Sequence, residues 1–310
     1  MIRRFSAAAA LVALGSTLGP IVAVAQCRPP ATSHEARLLA FYEVPALFSM
    51  ASAPEQFAPG AVRIGAEAEP VGSPSATLTH PDYCYQNTTN NTKLAPLFGR
   101  PRLIVGLPLG FAVEGSYVPP VSLSHARATL GSVALSRIQI LPFSDSRLTL
   151  MLRAHGTMGR IRGSITCPRA SLQTDAAGAP CYGTEPSHDS FDPNSLGAEG
   201  ALATRIGVMD AYVGGGANWL RPHFQAGFTD AVGNVDHTTI DVALMRAAVF
   251  AGATVHVRQN VAISGQLYTE PADVDGVNAN VTVKRVFATA GTYHYTCHIH
   301  PFMQGTVVVH

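Results

Sequence analysis

From about residue 61 to residue 268 the chain repeats short runs in which apolar and polar residues alternate, separated by Gly, Pro, Asp and Asn clusters. Leu148, Leu150 and Leu152 alternate with Arg147, Thr149, Met151 and Arg153. Phe111, Val113 and Tyr117 alternate with Ala112, Glu114 and Ser116, and Val255 and Val257 with Thr254, His256 and Arg258. Arg160 and Arg162 oppose Ile161 and Ile165 in the same way. Successive side chains of a strand point to opposite faces, so these runs predict half-buried strands with one apolar and one polar face. The spacing predicts a turn at Gly214-Gly215-Gly216 and a long polar loop from Pro168 to Gly197. No long amphipathic helical period stands out, and no apolar run beyond the N-terminal segment reaches the ~20 residues of a transmembrane helix.

Composition narrows the setting. The chain has 310 residues, 47% hydrophobic and 13% charged, which excludes a disordered chain. A formal net charge of +1 without a basic cluster argues against a nucleic-acid partner. Residues 1–25 read as an export signal: Arg3 and Arg4, an apolar Ala-rich stretch from Phe5 to Val22, then Ala23-Val24-Ala25 as the cleavage site. Export makes the five cysteines interpretable. Cys167 and Cys181 flank a polar stretch and are expected to close a surface loop, and Cys27 with Cys84 makes a second candidate pair. Cys297 is left over, and a metal would account for it.

Alternation along so many segments fits two architectures. A transmembrane barrel turns apolar residues to lipid and polar residues to its lumen, with every backbone group paired; a soluble antiparallel sandwich gives the same pattern. The barrel is the favoured reading for residues 26–275. The run Gly252-Ala253-Thr254 through Asn260-Val261-Ala262-Ile263-Ser264-Gly265 resembles a late hairpin of bacterial outer-membrane β-barrels, which implies lipid contact and a structural or pore-like role. In this body, His188, Asp189, Asp192 and Asn194 read as solvated loop residues more readily than as a cation grip. His125, His155, His223 and His237 read as lumenal or surface polar residues.

Residues 276–310 differ in kind. Tyr293–Cys297 and Gly305–Val309 read as strands joined by a tight loop, with His300 three residues after Cys297 and Met303 three beyond that. Thiolate, imidazole and thioether at this spacing form a soft donor set suited to copper. Pro301 stiffens the loop by fixing φ. The run Gly291-Thr292-Tyr293-His294-Tyr295-Thr296-Cys297-His298-Ile299-His300-Pro301-Phe302-Met303-Gln304-Gly305 resembles the C-terminal end of small cupredoxins, closest to amicyanin- and pseudoazurin-like members. The resemblance implies a Greek-key β segment and a type 1 copper site, with Cys297 and His300 as equatorial ligands and Met303 as axial ligand. It also implies one-electron exchange with a redox partner protein rather than substrate turnover.

The family takes another equatorial histidine from a loop after an upstream strand. Ala251–Asn260 aligns with that strand, yet Val261–Thr269 contains no histidine, and His256 lies within the strand. A cupredoxin beginning near Thr238, an incomplete cupredoxin end joined to the barrel, or a partner chain would each supply a different answer; the incomplete end is preferred. The expectation is an exported all-β protein of the periplasm or outer membrane carrying a copper loop. The rival is an outer-membrane barrel with a vestigial tail.

Overall fold

The computed structural model describes residues 26–84, 97–123, 126–143, 146–258, 261–270, 291–296 and 304–309. The proposed export signal and the loop holding Cys297, His300 and Met303 lie outside them. Among the described residues, seventeen strands and one α-helix follow in chain order: β1 (Gln26–Cys27), α1 (His34–Glu43), β2 (Val62–Pro70), β3 (Leu97–Gly106), β4 (Phe111–Leu123), β5 (Ala126–Phe143), β6 (Ser146–Gly163), β7 (Asp189–Asp192), β8 (Ser195–Ile206), β9 (Met209–Leu220), β10 (His223–Gln225), β11 (Phe228–Thr229), β12 (Val235–Asp236), β13 (Thr239–Asp241), β14 (Leu244–Arg258), β15 (Val261–Thr269), β16 (Gly291–Thr296) and β17 (Gln304–Val309). Thirteen of them form one sheet. The alternating segments named from the sequence do fall on strands, in β4, β6 and β14.

The sheet divides at β6, an 18-residue strand. Along Leu148–Thr157 it pairs with β8, and at Ile161–Gly163 it pairs instead with β7. The main path therefore runs β2-β3-β4-β5-β6-β8-β9-β14-β15, every step antiparallel. The branch continues through β7, β10 and β13 to β1, and the last step is parallel. Two corrections follow. The body is a large mixed sheet, not a barrel: among the described residues β2 pairs only with β3 and β15 only with β14, so the sheet stays open. Among the described residues of the tail there is no Greek key; β16 and β17 form a separate two-stranded antiparallel sheet.

Local readings change as well. The polar stretch 168–197 is not all loop, since it contains β7 and the start of β8. Gly214-Gly215-Gly216 is no turn but the middle of β9, between β8 and β14. Its glycines admit a close backbone approach: a Cβ at Gly216 would lie 2.2 Å from the Ala198 carbonyl oxygen, and one at Gly214 would lie 2.5 Å from that of Gly200. The α1 helix escaped the sequence reading because only ten residues carry it. Its start is marked by Ser33, whose hydroxyl accepts the Ala36 N–H at 3.1 Å.

The core has two parts. Ala36, Leu39, Ala40 and Leu47 pack against Phe191, Leu220, Phe224, Ile240 and Leu244, which seats α1 on the branch of the sheet. Met50, Ala53, Ile138, Met151, Tyr212 and Phe250 form the second cluster, inside the curve of the main path. Disulfides Cys27–Cys84 and Cys167–Cys181 are both formed. Substituting Gly216→Ala forces β8 and β9 apart and is expected to cost about 1–3 kcal/mol, read as a lower denaturation midpoint with an unchanged denaturant slope.

Candidate functional site

Strand alternation puts Arg100 and Arg102 of β3, Glu114 of β4, Arg153 and His155 of β6 and Glu199 of β8 on one face. Pairing Arg153 opposite Glu199 brings β6 and β8 into line. This polar face is the buried one: Arg100, Arg102, Arg153, His155 and Glu199 are all buried. Three guanidiniums thus meet three carboxyl groups. Arg153 donates to Glu199 at 2.7 Å and to Glu114 at 2.8 Å, and Arg102 donates to Glu114 at 2.8 Å. Glu67 of β2 pairs with both Arg100 and Arg102.

What these arginines hold is the segment Ala46–Met50, which follows α1. Arg100 donates to the carbonyls of Ala46, at 3.0 Å, and of Leu47. Arg153 donates to the Phe48 carbonyl, and Arg102 to that of Ser49 at 2.7 Å. The other hydrogen-bonding edge is held too: the Met50 N–H reaches Glu199 at 3.1 Å and the Ala53 N–H reaches Thr254 at 2.7 Å. The Phe48 ring is fully buried, with the Arg102, Arg100 and Arg153 guanidinium carbons 4.3, 5.0 and 5.1 Å from its centre. A strap of irregular backbone, normally a surface feature, is thereby satisfied inside the protein.

Burial and charge set the protonation states. Burial works against the Glu114 carboxylate, but Arg153 and Arg102 outweigh it and hold its pKa below the ordinary value. Burial, reinforced by the arginine charges, pushes His155 down to about 3. His155 is therefore neutral near neutral pH, and its 3.9 Å approach to Glu199 is no ion pair. Glu43, the last residue of α1, is fully buried. The Arg221 N–H beside it is committed to the Asn194 carbonyl at 2.8 Å, and among the described residues neither Glu43 carboxyl oxygen has a hydrogen bond. Burial and the charge of nearby Glu270 raise Glu43 to about 9.

The structure separates the histidines and acids grouped in the sequence. His256 bonds Asp210 at 2.7 Å, and His223 bonds Asp241 at 2.6 Å. Asp189 is neither solvated nor a cation ligand: it is buried and accepts from the Ile165, Thr166 and Gly227 N–H groups at 2.6–2.9 Å. Asp192 pairs with Arg160. Among the described residues no group of three or more His, Cys, Asp or Glu side chains is placed to hold a metal ion. Sequence reasoning missed Arg100, Arg102, Glu199 and Phe48; Arg100 and Arg102 were signalled by charges at alternate positions of an otherwise apolar strand, whereas Phe48 had no such signal.

Arg153→Met leaves Glu199 and Glu114 facing an apolar side chain and is expected to cost about 3–5 kcal/mol of stability. Phe48→Ala is expected to cost about 3–5 kcal/mol through the cavity it opens. Glu43 makes a pH prediction. An acid whose pKa is raised on folding contributes stability below its ordinary value of 4.5, and that contribution is lost as pH rises through about 9. Glu43→Gln should match the natural protein near pH 4 and become progressively the more stable of the two above it, by about 1.4 kcal/mol per pH unit at most. Urea unfolding at a series of pH values checks this.

No protein-family model, curated protein or solved structure matches the chain. The sheet is open and no metal cluster occurs among the described residues, so neither resemblance is upheld and the chain is assigned neither to the cupredoxins nor to the outer-membrane β-barrels.

Proposed function

We propose that this is an exported protein of the bacterial envelope whose curved sheet meets lipid with its outward face, in a structural rather than a catalytic role. The observation that carries the reading is inverted polarity. On β6, Arg153 is 4% exposed while its neighbour Leu152 is 60% exposed. On β8, Glu199 is buried and Leu196 is 66% exposed. The same holds on β3 for Arg102 and Leu103, and β2 and β15 present Ile64 and Leu267 outward. A protein partner covers one patch, whereas these apolar residues recur on every strand of the main path and exceed what a monomer in water ordinarily exposes. A lipid phase covers all of them at once. The strap and its ion pairs occupy the inner face of β3, β4, β6 and β8, which favours a support over a conduit.

The single tryptophan, Trp219 on β9, lies partly exposed on this face and reports on it directly. Mixing the mature chain with phosphatidylcholine vesicles should shift Trp219 emission to the blue, quench it with brominated acyl chains, and carry the protein upward in flotation. Leu152→Arg should weaken flotation several-fold. A chain that stays in the soluble fraction with unchanged emission would end the proposal. The exported form is expected to begin at Gln26.

One observation favours a second property. Two disulfides claim four of the five cysteines, which leaves Cys297 outside both. We propose that Cys297, His300 and Met303 hold a copper ion as a soft donor set, without the fold of a blue-copper protein. Binding of one Cu(I) per chain in competition with a chromophoric chelator, abolished by Cys297→Ser, is the expected result.

A further inference from the structure

The main path contains nine strands joined by eight antiparallel pairings, from β2–β3 to β14–β15. Its two outer strands, β2 and β15, therefore run in the same direction. Both are nine residues long. The sheet curves far enough that both line one cavity of about 780 Å³, together with Ser49–Ser52. Among the described residues neither strand has a partner on that side. A single extended strand entering this seam can run antiparallel to both edges, and its two rows of N–H and C=O groups can be paired at once. Direct pairing of β2 with β15 would instead have to be parallel.

The side chains of the seam specify the entrant. Val62 and Ile64 of β2 and Ile263 and Leu267 of β15 point outward and are exposed. The inward positions are mostly polar: Arg63, Glu67 and Glu69 on β2, Ser264 and Gln266 on β15, with Arg63 already paired with Glu55. Glu67 is already paired with Arg100 and Arg102. Glu69 has no hydrogen-bond or ion-pair partner among the described residues, and burial together with the Glu67 charge lifts it to about 7. Inward acids repel a purely apolar strand, which protects the edge from indiscriminate pairing, and they favour a cationic one.

We propose that the seam between β2 and β15 is a docking site for an extended segment of a partner polypeptide, apolar at alternate positions and carrying lysine or arginine at the positions between, bound antiparallel to both edges. This is strand addition with two edges instead of one. It goes beyond the lipid-contact reading and does not depend on it.

The probe is a fluorescein-labelled nine-residue peptide of alternating valine with lysine and threonine, titrated against the whole mature chain and followed by anisotropy. Saturable binding is expected. N-methylating the amides of the odd residues, or separately of the even residues, should each weaken it by roughly tenfold or more, because each set serves one edge. Glu69→Gln should weaken the lysine peptide by about fivefold and leave a glutamine-for-lysine peptide unchanged. A photo-crosslinker on the peptide N-terminus should label the chain near Pro70 and Thr269. No saturable binding, sensitivity to only one methylation set, or labelling near Val62 and Val261 would each overturn the proposal. The vesicle experiment reads Trp219 and flotation, so failure of either idea is distinguishable from failure of the other.

Discussion

The grip of three arginines on the backbone of Ala46–Ser49 is the interaction on which the rest of the structure depends. Four consecutive peptide carbonyls are removed from water, and each unmade hydrogen bond there would carry the full desolvation cost of its group. Arg100, Arg102 and Arg153 meet that demand, and Glu67, Glu114 and Glu199 offset their charge. The arrangement stands or falls as a unit: deleting one member leaves an ion buried without its counterpart, whereas an apolar replacement of the whole would not. Because the strap lies inside, the polar face of β3, β4, β6 and β8 must face inward. The apolar face is then left outside.

This inversion links fold to environment. In a water-soluble sheet protein the alternation puts apolar side chains inward and polar ones outward. Here Leu152 and Leu196 are exposed beside buried Arg153 and Glu199. The apolar material that is buried sits mainly where the branch β7-β10-β13 meets α1 and where Met50 and Ala53 meet Met151, Tyr212 and Phe250. Among the described residues β2 and β15 leave their outer edges unpaired, and under the proposed lipid contact such backbone groups would be costly and would favour a further strand. The parallel sense of β2 and β15 makes that strand antiparallel to both.

Much of this was legible in the chain. Period-two alternation marked the strands of β4, β6 and β14, and cysteine spacing anticipated both disulfides. The tail hairpin appeared where the apolar runs placed it, as β16 and β17. Other features were hidden because they rest on contacts between distant residues. Gly214–Gly216 reads as a turn by composition, yet neighbouring strands approach so closely there that no side chain fits. His256 was placed within a strand by the sequence, but its partner Asp210, 46 residues away, was not legible there. The cupredoxin likeness lay in one short loop, and a loop carries chemistry without carrying a fold.

Sequence alone determined that this chain forms long antiparallel strands with one apolar and one charged face, and that an odd number of cysteines leaves one outside any set of pairs, for which Cys297 was the candidate. It did so because strand periodicity and cysteine arithmetic are local or additive properties. Only the tertiary structure decided which face is interior, where the sheet divides, and that among the described residues its edges remain open. Those outcomes depend on Phe48 and its strap meeting arginines some 50 to 105 residues further along, and on one strand, β6, exchanging β8 for β7 partway along its length. Alternation is symmetric between its two faces; the strap breaks that symmetry.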